Sequence, residues 1–279
     1  MQWIDFLDEF LEDMRLQGRA EGTLLEYSHR IRDFAEWMDT HEKPITARKS
    51  DFLPHYVQAK LQKGLKISTL RSRLSAIRVY MVWARDHGYI KEVPFTPADY
   101  PQATSTKRIK RLSDSQLKIF LSHIDTLQPN ARAAFYLMLG TGARVGEVAH
   151  LRPVDVSLRG QSVYVDIKDA KWGSDRCIPI TDAKAAQVVW EYRQEATVDS
   201  RPLFRVSKRT LQGYATEFAK KTGIPLHCHL LRHTYAALLT EKGIPLPTIQ
   251  YLLGHRSMAM TAHYAQSALT DLSGVKTKI

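Results

Sequence analysis

Two short stretches near the carboxyl end decide how this chain is interpreted: HLLRHT (His229–Thr234) and LLGH (Leu252–His255), followed nine residues later by Tyr264. Helical spacing places His229 and Arg232 on one face, where both can address one ligand. Arginine grips phosphate oxygens in pairs, imidazole transfers protons, and tyrosine can act as a covalent nucleophile. The combination is typical of a site that attacks a phosphodiester.

The charge distribution favours a polyanionic partner. Residues 1–106 contain 15 Lys+Arg and 15 Asp+Glu, whereas residues 107–279 contain 25 and 14, so the net charge of +11 lies wholly in the second part. A basic domain of this kind is typical of nucleic-acid binding. Within the first part, seven basic residues between Lys60 and Arg85 follow one another without an acidic one. That run predicts either a DNA-binding face or a solvated helix surface, and it does not distinguish the two.

Length and composition set the class of protein. A chain of 279 residues is longer than one typical domain, which predicts two. The sequence shows neither an apolar run of the roughly 20 residues that cross a bilayer nor a basic, then apolar, amino-terminal signal. Its two cysteines are far apart, which argues against a disulfide framework. We therefore expect a soluble, cytoplasmic protein with reduced thiols.

Hydrophobic periodicity predicts the fold class. The first ninety residues show four amphipathic helical patterns. Three prolines between residues 94 and 101 then interrupt any helix, and a basic cluster follows. In the second part, residues 161–168 alternate like a strand, 177–180 resemble its returning partner, and helical patterns dominate the rest. We predict a mainly α protein with a small antiparallel β-sheet, divided into a helical domain (1–92), a basic linker (93–111) and a second domain (112–279).

Each remaining motif is ambiguous when taken alone. Arg144 follows a glycine turn and Glu147 lies one helical turn later, but an arginine beside a turn is usually just exposed. Lys171 falls in the predicted hairpin turn, where lysines are normally solvated. The pair His229 and His233 has metal-ligand spacing, yet Leu230 stands where the zinc-protease pattern needs glutamate. We expect no metal site, and the histidines could also simply cap or pack the helix.

Together these motifs resemble the tyrosine recombinase (phage integrase) family along essentially the whole chain. Arg144 and Glu147 match its first arginine box, and Lys171 its β-hairpin lysine, with Arg176 and Pro179 behind it. The stretch from His229 to His233 matches the H-x-L-R-H box. Leu253-Gly254-His255 matches the L-G-H box, and Tyr264 matches the nucleophile.

The resemblance implies a helical core-binding (SAM-like) domain and a catalytic domain that form a clamp on DNA. It implies Tyr264 as the nucleophile, with Arg144, Lys171, His229, Arg232 and His255 as its catalytic partners and Glu147 and His233 in support. The reaction would pass through a 3′-phosphotyrosyl link and a Holliday junction and needs no cofactor. The helical pattern begins at residue 3, which favours a build without an arm-binding domain, as in Xer recombinases, transposon resolvases or minimal integrases.

The implied partners are double-stranded DNA carrying specific core sites and, in a tetramer on that DNA, further copies of the chain or a related recombinase. The tail after Tyr264 would dock on a neighbour or fold back. A type IB-like topoisomerase and a non-catalytic DNA-binding protein of this fold remain alternatives. The predicted DNA contacts share a basic side chain on a helix or in the linker: Lys66, Arg71, Arg73, Arg78, Lys107, Arg108, Lys110, Arg111, Lys208 and Arg209.

Overall fold

The structure, a computed structural model, describes residues 3–44, 47–102, 111–168, 174–197, 201–255, 257 and 261. The chain divides into two compact units, Met1–Thr106 and Lys107–Ile279. The domain boundaries drawn from the sequence stay predictions. Some predicted site residues lie outside the described ranges: Lys107, Arg108, Lys110, Lys171 and Tyr264.

The first unit is a bundle of helices whose core is rich in aromatic side chains. Trp3 packs edge-on against Phe34, with ring centroids 5.0 Å apart, and its indole donates to the carbonyl oxygen of Lys43 at 3.0 Å. The hydroxyl of Tyr80 donates to the carbonyl of Trp3 at 2.8 Å, which ties the chain start to the last helix of the bundle. The helices are α1 (Leu7–Leu16), α2 (Glu21–Thr40), α3 (Lys49–Gln62) and α4 (Ile67–Asp86).

One carboxylate joins three of these helices. Asp33 on α2 lies 2.6 Å from the ammonium of Lys60 on α3 and 2.6 Å from the guanidinium of Arg73 on α4. Lys60 is almost fully buried, and charges that leave water in this way require close partners. Arg73, predicted from the sequence as a DNA contact, is therefore engaged inside its own unit.

The second unit packs helices and a small sheet around one apolar core, to which α6 (Pro129–Thr141) contributes most of its residues. Among the described residues, no helix of either unit is both long and apolar enough to cross a membrane. The helices of the second unit are α5 (Asp114–Ile124), α6 (Pro129–Thr141), α7 (Val145–His150), α8 (Ala183–Glu195), α9 (Lys208–Thr222), α10 (Cys228–Glu241) and α11 (Leu246–Leu253).

The sheet is antiparallel with the order β1-β2-β3, so the mainly α fold with a small antiparallel sheet is confirmed. Strand β2 (Ser162–Ile167) and strand β3 (Arg176–Pro179) are the predicted pair, in a register that sets Val165 opposite Ile178. Strand β1 (Val156–Arg159) was not predicted. It is only four residues long and follows a proline turn, so its alternation is too brief to detect.

Gly142 ends α6 in a left-handed conformation (φ 65°) that glycine adopts without strain. A Cβ at this position would lie 2.5 Å from Tyr235 Cδ1 and 3.0 Å from Leu253 Cδ2, both of them in buried side chains. Gly223 ends α9 in a similar conformation (φ 70°), but a Cβ there would meet nothing within 4 Å. Both positions thus require a left-handed backbone, but only Gly142 lacks room for a side chain.

We expect Gly142→Ala to destabilise the protein far more than Gly223→Ala. Each change places alanine in the left-handed region, at a cost of about 1 kcal/mol. Only Gly142→Ala also overpacks the core, which adds about 1–3 kcal/mol. Urea denaturation of both variants, which lie in the same unit, measures the difference. Equal losses of stability would contradict the steric account.

Candidate active site

Arg144 lies immediately before the first residue of α7, and the start of this helix positions it. The Arg144 backbone amide donates to Glu147 Oε2 and its Nη1 donates to Glu147 Oε1, both at 2.8 Å. The carboxylate lies in the first turn of the helix, where negative charge is favourable. The Arg144 side chain stays 34% exposed while Glu147 is only 11% exposed. One buried carboxylate therefore fixes both the backbone and the side chain of a partly open arginine.

Arg176, the first residue of β3, approaches the same carboxylate from the other side. Its Nη2 lies 2.8 Å from Glu147 Oε2, and its Nη1 donates to Oε1 at 3.3 Å. The side chain is 1% exposed. Its remaining bonds reach backbone oxygens: Nε donates to Leu252 at 2.8 Å and Nη1 to Ser174 at 3.2 Å.

Glu147 stays ionised in this environment. Burial alone would raise its pKa, but the hydrogen bonds and positive charges of Arg176 and Arg144 outweigh burial, so the pKa is held below its ordinary value. Glu147 offsets one of the two guanidinium charges. The group of three side chains therefore keeps a net positive charge.

Arg232 on α10 is 1% exposed and is held by backbone carbonyls. Its Nη1 donates to the carbonyl of Gly142 at 2.9 Å, and its Nη2 donates to that of Leu253 at 2.5 Å. Gly142 follows α6 and Leu253 ends α11, so one guanidinium joins the ends of two helices to a third.

His229 lies three residues before Arg232 on α10 and remains accessible to solvent. Desolvation of its ring, followed by the positive charges of Arg232, His227 and Arg144, lowers its pKa below the ordinary value. The ring of His233 packs edge-on against that of His229, with centroids 4.5 Å apart. Desolvation and the neighbouring His229 lower the pKa of His233 to about 4. Both imidazoles are therefore neutral at pH 7.

His255 follows Gly254, which ends α11 in the left-handed conformation (φ 61°). Its Nδ1 lies 3.0 Å from the hydroxyl of Thr261, which is fully buried. Desolvation, then the charges of Arg232 and Arg144, lower the pKa of His255 to about 4. The imidazole is thus within electrostatic reach of both arginines and is neutral at pH 7.

Arg144, His229 and Arg232 line one cleft of about 1070 Å³. The lining also includes three polar residues spaced four apart on α9: Lys208, Gln212 and Thr216. The structure therefore brings together three of the six predicted catalytic residues in the cleft, with His255 beside them. Lys171 and Tyr264 lie outside the described residues.

The predicted DNA contacts fall into two groups. Lys66, Lys208 and Arg209 are exposed. Other basic residues are engaged within their own unit. Arg71 donates to the carbonyl of Pro101 at 2.9 Å, and Arg111 pairs with Glu241 at 2.8 Å. Arg78 is half-buried, and its positive charge is within electrostatic range of the Tyr100 hydroxyl.

Sequence analysis missed the central place of Arg176. The alternation of β3 carries the missing signal, because it sets Arg176 on the same buried face as Ile178. The rival metal hypothesis for His229 and His233 gains nothing from the described residues, where no three histidine, cysteine or acidic side chains group as metal ligands.

Comparisons with known proteins identify the family. The profile of the phage integrase family matches residues 110–270, and that of the phage integrase N-terminal SAM-like domain matches residues 7–88. The tyrosine recombinase XerA of Saccharolobus solfataricus is 26% identical over 273 residues, which cover 96% of this chain and 90% of the relative. XerC of Neisseria meningitidis is 29% identical over 282 residues, covering 93% and 90%.

Solved structures share the fold. A lambda integrase dimer bound to a COC′ core site superposes with a TM-score of 0.77 at 21% identity and covers 100% of this chain and 81% of that one. The Tn1549 transposon integrase in complex with a circular intermediate DNA gives a TM-score of 0.74 at 18% identity, covering 95% of each chain. These matches do not favour the topoisomerase or the non-catalytic alternative. The chain belongs to the phage integrase family and is a tyrosine-type site-specific recombinase.

Proposed function

We propose that the chain cleaves one DNA strand with Tyr264 as the nucleophile, forming a 3′-phosphotyrosyl link and a free 5′-hydroxyl, and then rejoins the strand to a new partner. The observation that carries this proposal is the cleft where Arg144, Arg232 and the neutral His229 meet. Two guanidiniums beside an unprotonated base suit a phosphodiester under attack by a phenol.

The arginines would stabilise the charge that develops on the non-bridging phosphate oxygens. A guanidinium has five N–H donors in one plane, which match two phosphate oxygens at once. Glu147 and the backbone hold Arg144 and Arg232 in place before DNA arrives, so little reorganisation is needed during reaction. Donors arranged in this way are typically worth about 3–4 kcal/mol each in the transition state.

His229 would take the proton from the attacking phenol. A free tyrosine has a pKa near 10, so it needs a base as it attacks at neutral pH. The lowered pKa of His229 keeps its imidazole unprotonated and able to accept. His255, also neutral, would donate to the phosphate through Nε2 while Nδ1 accepts from the Thr261 hydroxyl. We assign to Lys171 the protonation of the departing 5′-oxygen.

The energy of the broken bond is retained in the phosphotyrosyl link, so resealing requires neither ATP nor a metal. Attack by the 5′-hydroxyl of a partner strand reverses the first step. Recombination needs four such strand transfers: two would form a Holliday junction and two more would resolve it. The buried Cys228 at the cleft has no part in this scheme, since desolvation raises its pKa to about 11 and keeps the thiol protonated.

The proposed partners are specific core sites in double-stranded DNA and further copies of the chain, assembled as a tetramer. One similar solved structure is a lambda integrase tetramer bound to a Holliday junction. The XerA and XerC relatives and the concentration of positive charge in residues 107–279 support the same assignment. A clamp of the two units around DNA, and docking of residues 265–279 on a neighbour, belong to the proposal.

A nicked suicide substrate tests the nucleophile. We expect the wild-type chain to form a protein–DNA adduct that resists SDS, because loss of the short cleaved fragment traps the covalent link. Tyr264→Phe should form none, and Tyr214→Phe, which removes a hydroxyl from α9 outside the lining of the cleft, should cleave like the wild type. An adduct that persists in Tyr264→Phe would overturn the assignment.

The acidity of His229 predicts the pH dependence. Because its pKa is lowered, the acid limb of the cleavage rate at sub-saturating DNA should have its midpoint below pH 6.5. His229→Gln should remove this limb and reduce the rate about 10²–10⁴-fold. A limb centred above pH 6.5 would contradict the role. Circular dichroism must accompany the profile, since histidines with lowered pKa values resist protonation when folded and stability is lost as the pH falls below about 6.5.

A further inference from the structure

The carboxyl end of α11 is held by three arginines from three different segments. The carbonyl oxygens of Leu252, Leu253 and Gly254 are consecutive, and each accepts from a different guanidinium. Arg176 donates to the first at 2.8 Å, Arg232 to the second at 2.5 Å, and Arg144 to the third at 3.3 Å. The last carbonyls of a helix lack partners within it and carry partial negative charge, so they attract cations.

Arg144 and Arg232 line the cleft and would hold the phosphate, but Arg176 is absent from that lining. Arg232 is as buried as Arg176, so it is the absence from the lining, and not burial, that indicates no direct contact of Arg176 with the phosphate. The guanidinium of Arg176 instead spans Glu147 and Leu252. Glu147 aligns Arg144, and Leu252 belongs to the end of α11, which leads into His255.

Geometry makes this bridge specific to arginine. Arg176 donates in three directions from one plane, to a carboxylate and to two backbone carbonyls. A lysine has a single ammonium that cannot reach all three groups at once. Gly254 permits the close approach, since a Cβ there would lie 2.9 Å from Arg176 Nη1.

We propose that Arg176 is a positioning residue for DNA cleavage: it locks Glu147 against the end of α11 and thereby aims the guanidinium of Arg144 at the scissile phosphate. Without Arg176, Glu147 keeps one guanidinium partner instead of two, and the carbonyl of Leu252 loses its donor. Glu147 and the end of α11 then shift, and Arg144, which contacts both, shifts with them. This inference rests on the proposed function.

The test is a double-mutant cycle on a suicide substrate, with single-turnover cleavage measured at saturating DNA. Arg176→Met should lower the cleavage rate about 10²-fold, the typical effect of a misplacement of about 1 Å. DNA affinity, measured in a Tyr264→Phe background, should change less than about threefold, because Arg176 does not contact DNA. Arg176→Lys should lie between the wild type and Arg176→Met.

The cycle separates positioning from general stability. In an Arg144→Lys background, Arg176→Met should cost less than about fivefold, because its effect passes through Arg144. Arg132→Met, which removes a surface ion pair with Asp125 on the same unit, is the matched control and should cleave like the wild type. Thermal denaturation identifies any variant that fails to fold. If Arg176→Met does not fold, Arg176→Lys replaces it in the cycle.

A full 10²-fold loss in both backgrounds, or a normal cleavage rate in folded Arg176→Met or Arg176→Lys, would overturn the inference. Neither result would affect the proposed function. That proposal fails separately, if the wild type forms no adduct or Tyr264→Phe still forms one.

Discussion

The catalytic unit depends on hydrogen bonds between guanidinium groups and the carbonyl oxygens that end α11. Arg144, Arg176 and Arg232 come from a helix start, a strand and the middle of a helix, and they meet at Leu252–Gly254. A helix end supplies several oxygens in fixed positions with partial negative charge. It can therefore hold several cations together at a place where like charges would otherwise repel one another.

The electrostatic balance of the site follows from this arrangement. Two of the three guanidiniums share one carboxylate, Glu147, and the group of three side chains retains positive charge. Desolvation and this charge hold His229 and His255 in the neutral form. A centre assembled to receive a phosphate thus also keeps its base unprotonated. A DNA phosphate would bring further negative charge to these guanidiniums.

The sequence predicted much of the fold and only part of the site. Helical spacing predicted that helices follow the sheet in the second part, because each of α8–α11 has an apolar face and a clear cap or glycine stop. Strand β1 was too short to show its period. Arg144, His229 and Arg232 were found from motif spacing, and the structure places them in one cleft.

The sequence resemblance named Arg176 but gave it no role, because its importance lies in tertiary contacts. Its partners, Glu147 and Leu252, are 29 and 76 residues away along the chain. No local pattern reports such contacts. In the same way, the sequence showed Arg73 as a basic residue on a predicted helix. It did not show the ion pair of Arg73 with Asp33, which lies 40 residues away. The roles of Lys171 and Tyr264 rest on the sequence resemblance.

The central claim is that the guanidiniums at the end of α11 are fixed before DNA binds. NMR of the DNA-free protein labelled with ¹⁵N-arginine tests it most directly, with signals assigned from Arg→Lys variants. The account predicts separate Nη resonances for Arg176 and Arg232, since their hydrogen bonds restrict rotation about the Nε–Cζ bond. The exposed Arg209 should give averaged resonances. Averaged signals from Arg176 and Arg232 as well would contradict the claim and imply that DNA assembles the site.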